Sequence, residues 1–182
     1  MKHPARWIAL AVAVVVVALG VVLALNVGTD PVAASKESRL IGKPAPSFDL
    51  PQLSGERVSS DDLAGKTVIV NFWNEWCVPC IAELPALKKF WAAHANDGDV
   101  AMVGITHASN LSEKQLARYV ERAGLDWTIA LDPKSRAALD FAVRGQPETF
   151  VISPSGEVVG YQLSETRAQD LEAMLAAARG LG

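Results

Sequence analysis

The chain has 182 residues, a formal net charge of −3 and two cysteines, Cys77 and Cys80. That length holds one domain of ordinary size plus an appendage, and a mildly acidic balance without a Lys/Arg stripe excludes the electrostatic footprint of a nucleic-acid binder. With both cysteines in one C-x-x-C, no structural disulfide framework can form within a monomer, so stability must come from a packed core.

Residues 7–25 are uncharged and almost wholly apolar. About 19 residues make roughly 28 Å of helix, enough to cross a bilayer core. Lys2 and Arg6 precede the run, so the positive-inside rule keeps the N-terminus cytoplasmic and places everything after Val27 outside. A cleaved signal peptide is the competing reading, with Val32-Ala33-Ala34 as a small-residue cleavage site, although the apolar run is long for a signal and ends well before that site. Either reading exports the domain. Residues 1–27 are therefore read as cytoplasmic tip and anchor, 28–40 as a polar tether with little to bury, and 41–182 as the exported domain.

The domain opens with Ile41 to Leu50, whose prolines place it along a sheet edge. Leu53 to Val58 reads as a turn between two short strands, and Ser59 to Leu63 as a capped single turn. Thr67 to Phe72 is a β-branched run of a buried strand. Leu84, Leu87, Phe90 and Trp91 then recur at helical spacing until Asn96-Asp97-Gly98 stops the helix. Val100 to Thr106 predicts a second buried strand, followed by a helix from Ser112 with Gln115 completing a capping box and Gly124 ending it. Trp127 to Leu131 is a short strand. Asp132-Pro133 has the order of a cap and first helical residue, predicting a helix through Ala137, Leu139 and Phe141. Glu148–Ile152 and Glu157–Tyr161 flank Ser153-Pro154-Ser155-Gly156 as a hairpin, and a terminal helix runs from about Glu165 to Arg179 with Leu171, Met174 and Leu175 on one face. Strands alternating with helices argue an α/β sandwich around a central mixed sheet.

The chemistry is concentrated in Trp73-Asn74-Glu75-Trp76-Cys77-Val78-Pro79-Cys80, between the first buried strand and its helix. A C-x-x-C there puts both sulfurs in the first helical turn, where residues three apart share a face and can close a disulfide. Unpaired N–H groups and the positive end of the helix dipole favour an anion at that point, and a thiolate is such an anion. Cys77, the more N-terminal, is the expected nucleophile with a lowered pKa, and Cys80 the resolving thiol. Pro79 gives up one N–H but holds a helical φ, which a first turn tolerates. Half of a zinc site is the other reading of C-x-x-C, but zinc wants four ligands, and His3, His94 and His107 lie scattered without ligand spacing. A c-type haem attachment needs His after the second cysteine, where Ile81 stands.

Gly42-Lys43-Pro44-Ala45-Pro46-x-Phe48, Gly65-Lys66, Val70-Asn71-Phe72-Trp73, Trp76-Cys77-Val78-Pro79-Cys80, Glu83 and Gly145-Gln146-Pro147-Glu148-Thr149-Phe150 together resemble the thioredoxin superfamily. The match is closest to its membrane-anchored TlpA-like branch, which includes the cytochrome c maturation thioredoxins ResA and CcmG, and it spans roughly residues 40–178. The resemblance implies a thioredoxin-like fold and a Gln146–Pro147 bond that is cis and faces the disulfide, where a substrate strand can pair. From residues alone an ordinary trans loop proline is the other reading. Asn71 stands where cytoplasmic thioredoxins keep a buried aspartate, and Asn cannot take a proton. The resemblance hands that role to Glu83, three residues past Cys80, against the reading of an exposed first-turn acid. Glu148 is a further acid candidate, or a solvated charge at a strand end.

Trp76 and Pro79 with Gln146, Pro147 and Glu148 are the expected substrate-binding residues, while Trp73, Trp91 and Trp127 are read as core. The activity implied is thiol:disulfide exchange with a protein substrate, outside the cytoplasmic membrane and with no cofactor beyond the redox-active Cys77–Cys80 pair. The substrate implied is an apocytochrome c whose thiols are made ready for haem, and the regenerating partner a membrane electron donor of the CcdA/DsbD type. Three rivals are an oxidase that donates disulfides to secreted proteins, a peroxidase and a non-catalytic binding module. The Lys43 to Phe48 opening also occurs in peroxiredoxin-like chains, but their Pro and Thr before the attacking cysteine are missing from Asn71 to Trp76.

Overall fold

A computed structural model describes residues 12–19, 21 and 38–180. The chain divides into two units, Met1–Lys36 and Glu37–Gly182. In the first, residues 12–19 and 21 are helical with exposed side chains; the rest of the expected anchor, and the tether up to residue 37, lie outside the described residues. Among the described residues no helix is long and apolar enough to cross a membrane.

The second unit is built from β1 (Asp49–Pro51), β2 (Arg57–Ser59), a 3-10 turn (Asp61–Leu63), β3 (Thr67–Phe72), α1 (Val78–His94), β4 (Val100–Thr106), α2 (Glu113–Ala123), β5 (Thr128–Leu131), α3 (Arg136–Asp140), β6 (Glu148–Ile152), β7 (Val158–Leu163) and α4 (Ala168–Arg179). Five strands form one sheet in the order β5-β4-β3-β6-β7. β3, β4 and β5 are parallel, crossed over by α1 and α2, while β6 and β7 run as an antiparallel hairpin. The opening segment does lie along the edge, with Gly42 N–H donating to Val158 O and Ala45 N–H to Gly156 O, both at 2.8 Å.

Period-two alternation decides which side each strand residue fills. Val68, Val70 and Phe72 of β3 face an aromatic layer in which Phe72, Phe141 and Phe150 meet at ring-centroid distances of 5.2–5.9 Å. Ile69 faces the other core, against Leu87 and Phe90 of α1 and Leu171 and Leu175 of α4. Because helices or loops cover both faces, all six β3 residues are buried, which is why the segment shows no apolar–polar alternation.

Four expectations need correction. Asp132-Pro133 does not begin a helix: α3 begins at Arg136, after Ser135 in the left-handed conformation. Asp132 still caps, its carboxylate accepting from Arg136 N–H at 2.8 Å and Ala138 N–H at 3.0 Å, but it does so across an intervening turn. Leu139, placed with the apolar residues, is exposed. The terminal helix starts at Ala168, not near Glu165, and the freed segment 164–167 takes part in the site described below. Trp73 and Trp127 are core, whereas Trp91 is only partly buried. The Ser112–Gln115 arrangement holds, with Gln115 Oε1 accepting from Ser112 N–H at 3.0 Å, and Gly124 ends α2 at a φ of 63°.

Gly104 in β4 makes room for the motif. A Cβ there would stand 2.8 Å from Trp73 Nε1 and 3.1 Å from Trp127 Nε1, two large rings with nowhere to retreat. Gly104→Ala is expected to lower stability by about 1–3 kcal/mol, as overpacked cores do, seen as a lower denaturant midpoint with an unchanged m-value.

Candidate active site

Sheet topology gathers the chemistry at one edge. β3 and β4 end there, β6 begins there, and β7 ends there, since Phe72 pairs with both Ile105 and Glu148, and Glu148 pairs with Leu163. Four connections therefore converge: 73–77, 107–112, 143–147 and 164–167.

The first is fastened residue by residue. Trp73 N–H donates to Ile105 O at 3.0 Å. Asn74, with no exposed surface, donates from Nδ2 to Gln146 Oε1 at 2.7 Å while its Oδ1 accepts from the Thr106 hydroxyl and from Ala108 N–H. Glu75 Oε1 accepts from Asn110 N–H at 2.8 Å, and Trp76 Nε1 donates to Ala108 O at 2.7 Å. Three consecutive side chains thus tie the motif to the loop after β4, and Asn74 ties it to the loop before β6 as well.

Cys77 is the N-cap of α1, and Cys80 lies within its first turn. The sulfurs are joined in a disulfide with Cα atoms 5.2 Å apart. Cys77 Sγ accepts from Cys80 N–H at 3.3 Å, a ready donor for the thiolate that reduction would leave there. Cys77 keeps 5% of its surface exposed and Cys80 none. Beside Cys77 lies a groove of about 280 Å³, lined by Trp76, His107, Ala108 and residues 143–146. Trp76 is half exposed at its rim. His107 shares its ring with a neighbouring cavity of about 420 Å³; burial holds its pKa below the ordinary value, partly offset by the Asp132 charge.

Glu83 lies one turn beyond Cys80 and is 2% exposed. Its carboxylate accepts from Asn71 Nδ2 and from Thr166 N–H, both at 2.9 Å. Asn71 Nδ2 also donates to Thr149 Oγ1 at 3.0 Å, and Thr149 Oγ1 is 3.2 Å from Thr166 Oγ1. Burial pushes the Glu83 pKa up to about 7, against the opposing pull of the Thr166 and Asn71 hydrogen bonds. It is not a solvated helix-start charge but a carboxyl poised to change protonation near neutrality.

The Gln146–Pro147 bond is cis. Glu148 is neither a free acid nor a solvated strand end. It is 1% exposed, and its Oε1 accepts from Arg144 N–H at 2.7 Å and Gly145 N–H at 2.9 Å, while Oε2 accepts from the Tyr161 hydroxyl at 3.1 Å. Those bonds shape the turn that delivers Gln146 and Pro147, so Glu148 acts from beneath and does not present itself to a substrate. Pro147 is buried and Pro79 half-buried, and neither lines the groove. Asn74, Thr166, His107 and Arg144 were not singled out as site residues from sequence; nothing in their spacing marks them, because each is brought in by a different connection. Among the described residues, no group of three or more His, Cys, Asp or Glu side chains is arranged to hold a metal ion.

Residues 41–161 match the model of the AhpC/TSA family. The chain is 34% identical to the thioredoxin-like protein YneN of Bacillus subtilis, over 74% of this chain and 78% of that one. It is 33% identical to the thiol-disulfide oxidoreductase ResA of the same organism, over 71% of each. Among solved structures, a thiol:disulfide interchange protein of the thioredoxin family from Chlorobium tepidum superposes with a TM-score of 0.65 at 29% identity, over 78% of this chain and 98% of that one.

Proposed function

We propose, for a chain that belongs to the AhpC/TSA family and is a thiol:disulfide oxidoreductase, that it serves as a membrane-tethered reductase outside the cytoplasm and acts on disulfides of apocytochrome c. The observation that carries the reading is the Cys77–Cys80 disulfide at the start of α1 with buried Glu83 one turn on, its pKa near 7. In the reduced protein, the Cys77 thiolate attacks one sulfur of the substrate cystine. The substrate's other sulfur leaves as a thiolate and takes a proton. Cys80, giving its proton to Glu83, then attacks Cys77 Sγ, re-forming the 77–80 bond and releasing the second substrate thiol. Two electrons pass to the substrate, and a membrane donor of the CcdA/DsbD type returns them.

The tether rests on the apolar run of residues 7–25 with Lys2 and Arg6 before it. Direction is tested by the reduction potential of the 77–80 pair, expected well below about −180 mV on the scale of oxidoreductase couples. A value at or above that makes the protein a disulfide donor to secreted chains. Transfer from the reduced protein to an oxidised Cys-x-x-Cys-His segment, faster than to an unrelated disulfide, is the matching test of substrate.

A further inference from the structure

The groove beside Cys77 is walled by apolar surface from Trp76, Ala108 and Val143, and Arg144 is the one permanently charged side chain among the residues that line it. The nearby acids are turned away. Glu75 Oε1 takes Asn110 N–H, and Glu148 is buried under the loop with its oxygens bonded to backbone N–H groups and to Tyr161; neither lines the groove. His107, its pKa lowered by burial, adds no standing charge at neutral pH. One end of a largely apolar groove therefore carries a cation whose nearest carboxylate, Glu148, reaches it only through the Tyr161 hydroxyl and not as a direct ion pair.

That cation is held in place. Arg144 Nη2 donates to the Tyr161 hydroxyl at 2.7 Å, and the guanidinium carbon sits 5.9 Å from the Tyr161 ring centroid. The Tyr161 hydroxyl donates in turn to Glu148, which also accepts from Arg144's own backbone N–H. Backbone and guanidinium are thus both anchored on one buried carboxylate, the second through Tyr161. The bond to Tyr161 uses a single guanidinium donor, and no carboxylate lies within ion-pair distance of Arg144 among the described residues. A pre-set planar fork loses less side-chain freedom on pairing with a carboxylate than a mobile one does.

We infer that Arg144 is a specificity-determining residue, selecting protein substrates that carry a carboxylate side chain close to the cystine attacked by Cys77. The inference rests on the exchange reaction proposed above and names a feature of its substrate. The apolar walls receive the chain around the cystine, and Arg144 receives the acid at one end. Charge pairs at such rims act chiefly on encounter and register, and salt screens them.

The test uses disulfide-bridged peptides identical except for one residue beside the cystine, which is Glu, Gln or Lys. Second-order rate constants for their reduction by the reduced protein are measured for the wild type, Arg144→Gln and Arg144→Glu. Wild type is expected to favour the Glu peptide over the Lys peptide by about three- to tenfold, the scale of one partly exposed ion pair. The ratio should fall to about one in Arg144→Gln, invert in Arg144→Glu, and shrink towards one in wild type at about 1 M salt. Because the readout is a ratio between peptides, a general slowing from a loosened loop cancels. Equal rates for the three peptides in wild type, or a ratio that survives Arg144→Glu, would overturn the inference alone. Failure of the wild type to exchange with every peptide would overturn the oxidoreductase mechanism and this inference with it.

Discussion

Replacing Cys77 by serine is expected to bring disulfide exchange below about one thousandth of the wild-type rate, because a hydroxyl is not ionised near neutrality and cannot be the attacking species. The position argues for the order of attack as well as its chemistry. Cys77 lines the groove and keeps some surface, whereas Cys80 is fully enclosed behind it. Only Cys77 can meet a substrate sulfur without the helix opening. Its sulfur also sits at the N-cap, facing the Cys80 N–H, where the first turn's unpaired donors favour a thiolate. Cys80→Ser should therefore keep the first step and lose the second, accumulating a mixed disulfide between Cys77 and the substrate that non-reducing electrophoresis and intact-mass measurement resolve. If Cys77→Ser captures the substrate instead and Cys80→Ser captures none, the two sulfurs have been assigned the wrong roles.

Most of the frame could be read before any coordinates because its signals are local. The strand β3 is a β-branched run, α1 carries Leu84, Leu87 and Phe90 at helical spacing, and the β6–β7 hairpin is announced by Ser153-Pro154-Ser155-Gly156. Periodicity reports burial, and burial is what the sheet imposes. What sequence left open lies where a side chain reaches across the fold. Asp132 looks like the cap of a helix starting at once, yet its carboxylate spans a turn to reach Arg136 and Ala138, and no short-range rule carries that distance. Asn74 is a polar residue in a loop by any local reading. Its burial follows from having partners on two other connections, Gln146 on one side and Thr106 with Ala108 on the other. Glu148 could be placed beside Pro147 from the motif, but the direction of its carboxylate is set by Arg144, Gly145 and Tyr161, which only folding assembles. The site was legible as far as its covalent chemistry and opaque in its supports, since the former sits in one stretch of eight residues, Trp73 to Cys80, and the latter come from four separate connections.

Glu83 should give the second large effect, in rate and in stability, with opposite senses of pH. On the proposed mechanism the carboxylate form takes the Cys80 proton, so resolution of the mixed disulfide should speed up as pH rises through about 7. Glu83→Gln removes that base, and the resolving step is expected to slow by about 10²-fold at neutral pH and lose its limb near 7, the scale of general acid–base assistance. Stability runs the other way. The folded pKa lies above the ordinary 4.5, so between 4.5 and about 7 the native state holds a proton that the unfolded chain has already lost. Rising pH therefore costs stability across that window, by about 3 kcal/mol once Glu83 is charged in the folded protein. Below 4.5 both states are protonated and the contribution is complete. In the oxidised protein, where neither thiol titrates, the stability difference between Glu83→Gln and wild type should move in favour of glutamine by that amount from pH 4.5 to 8. The absolute values carry a separate cost, because glutamine offers one acceptor oxygen to two donors, Asn71 Nδ2 and Thr166 N–H. The pH slope is free of that cost. A variant whose unfolding free energy follows the wild-type pH curve in parallel, with its resolving step still titrating near 7, would remove Glu83 from both roles and leave Cys80 to find its base elsewhere.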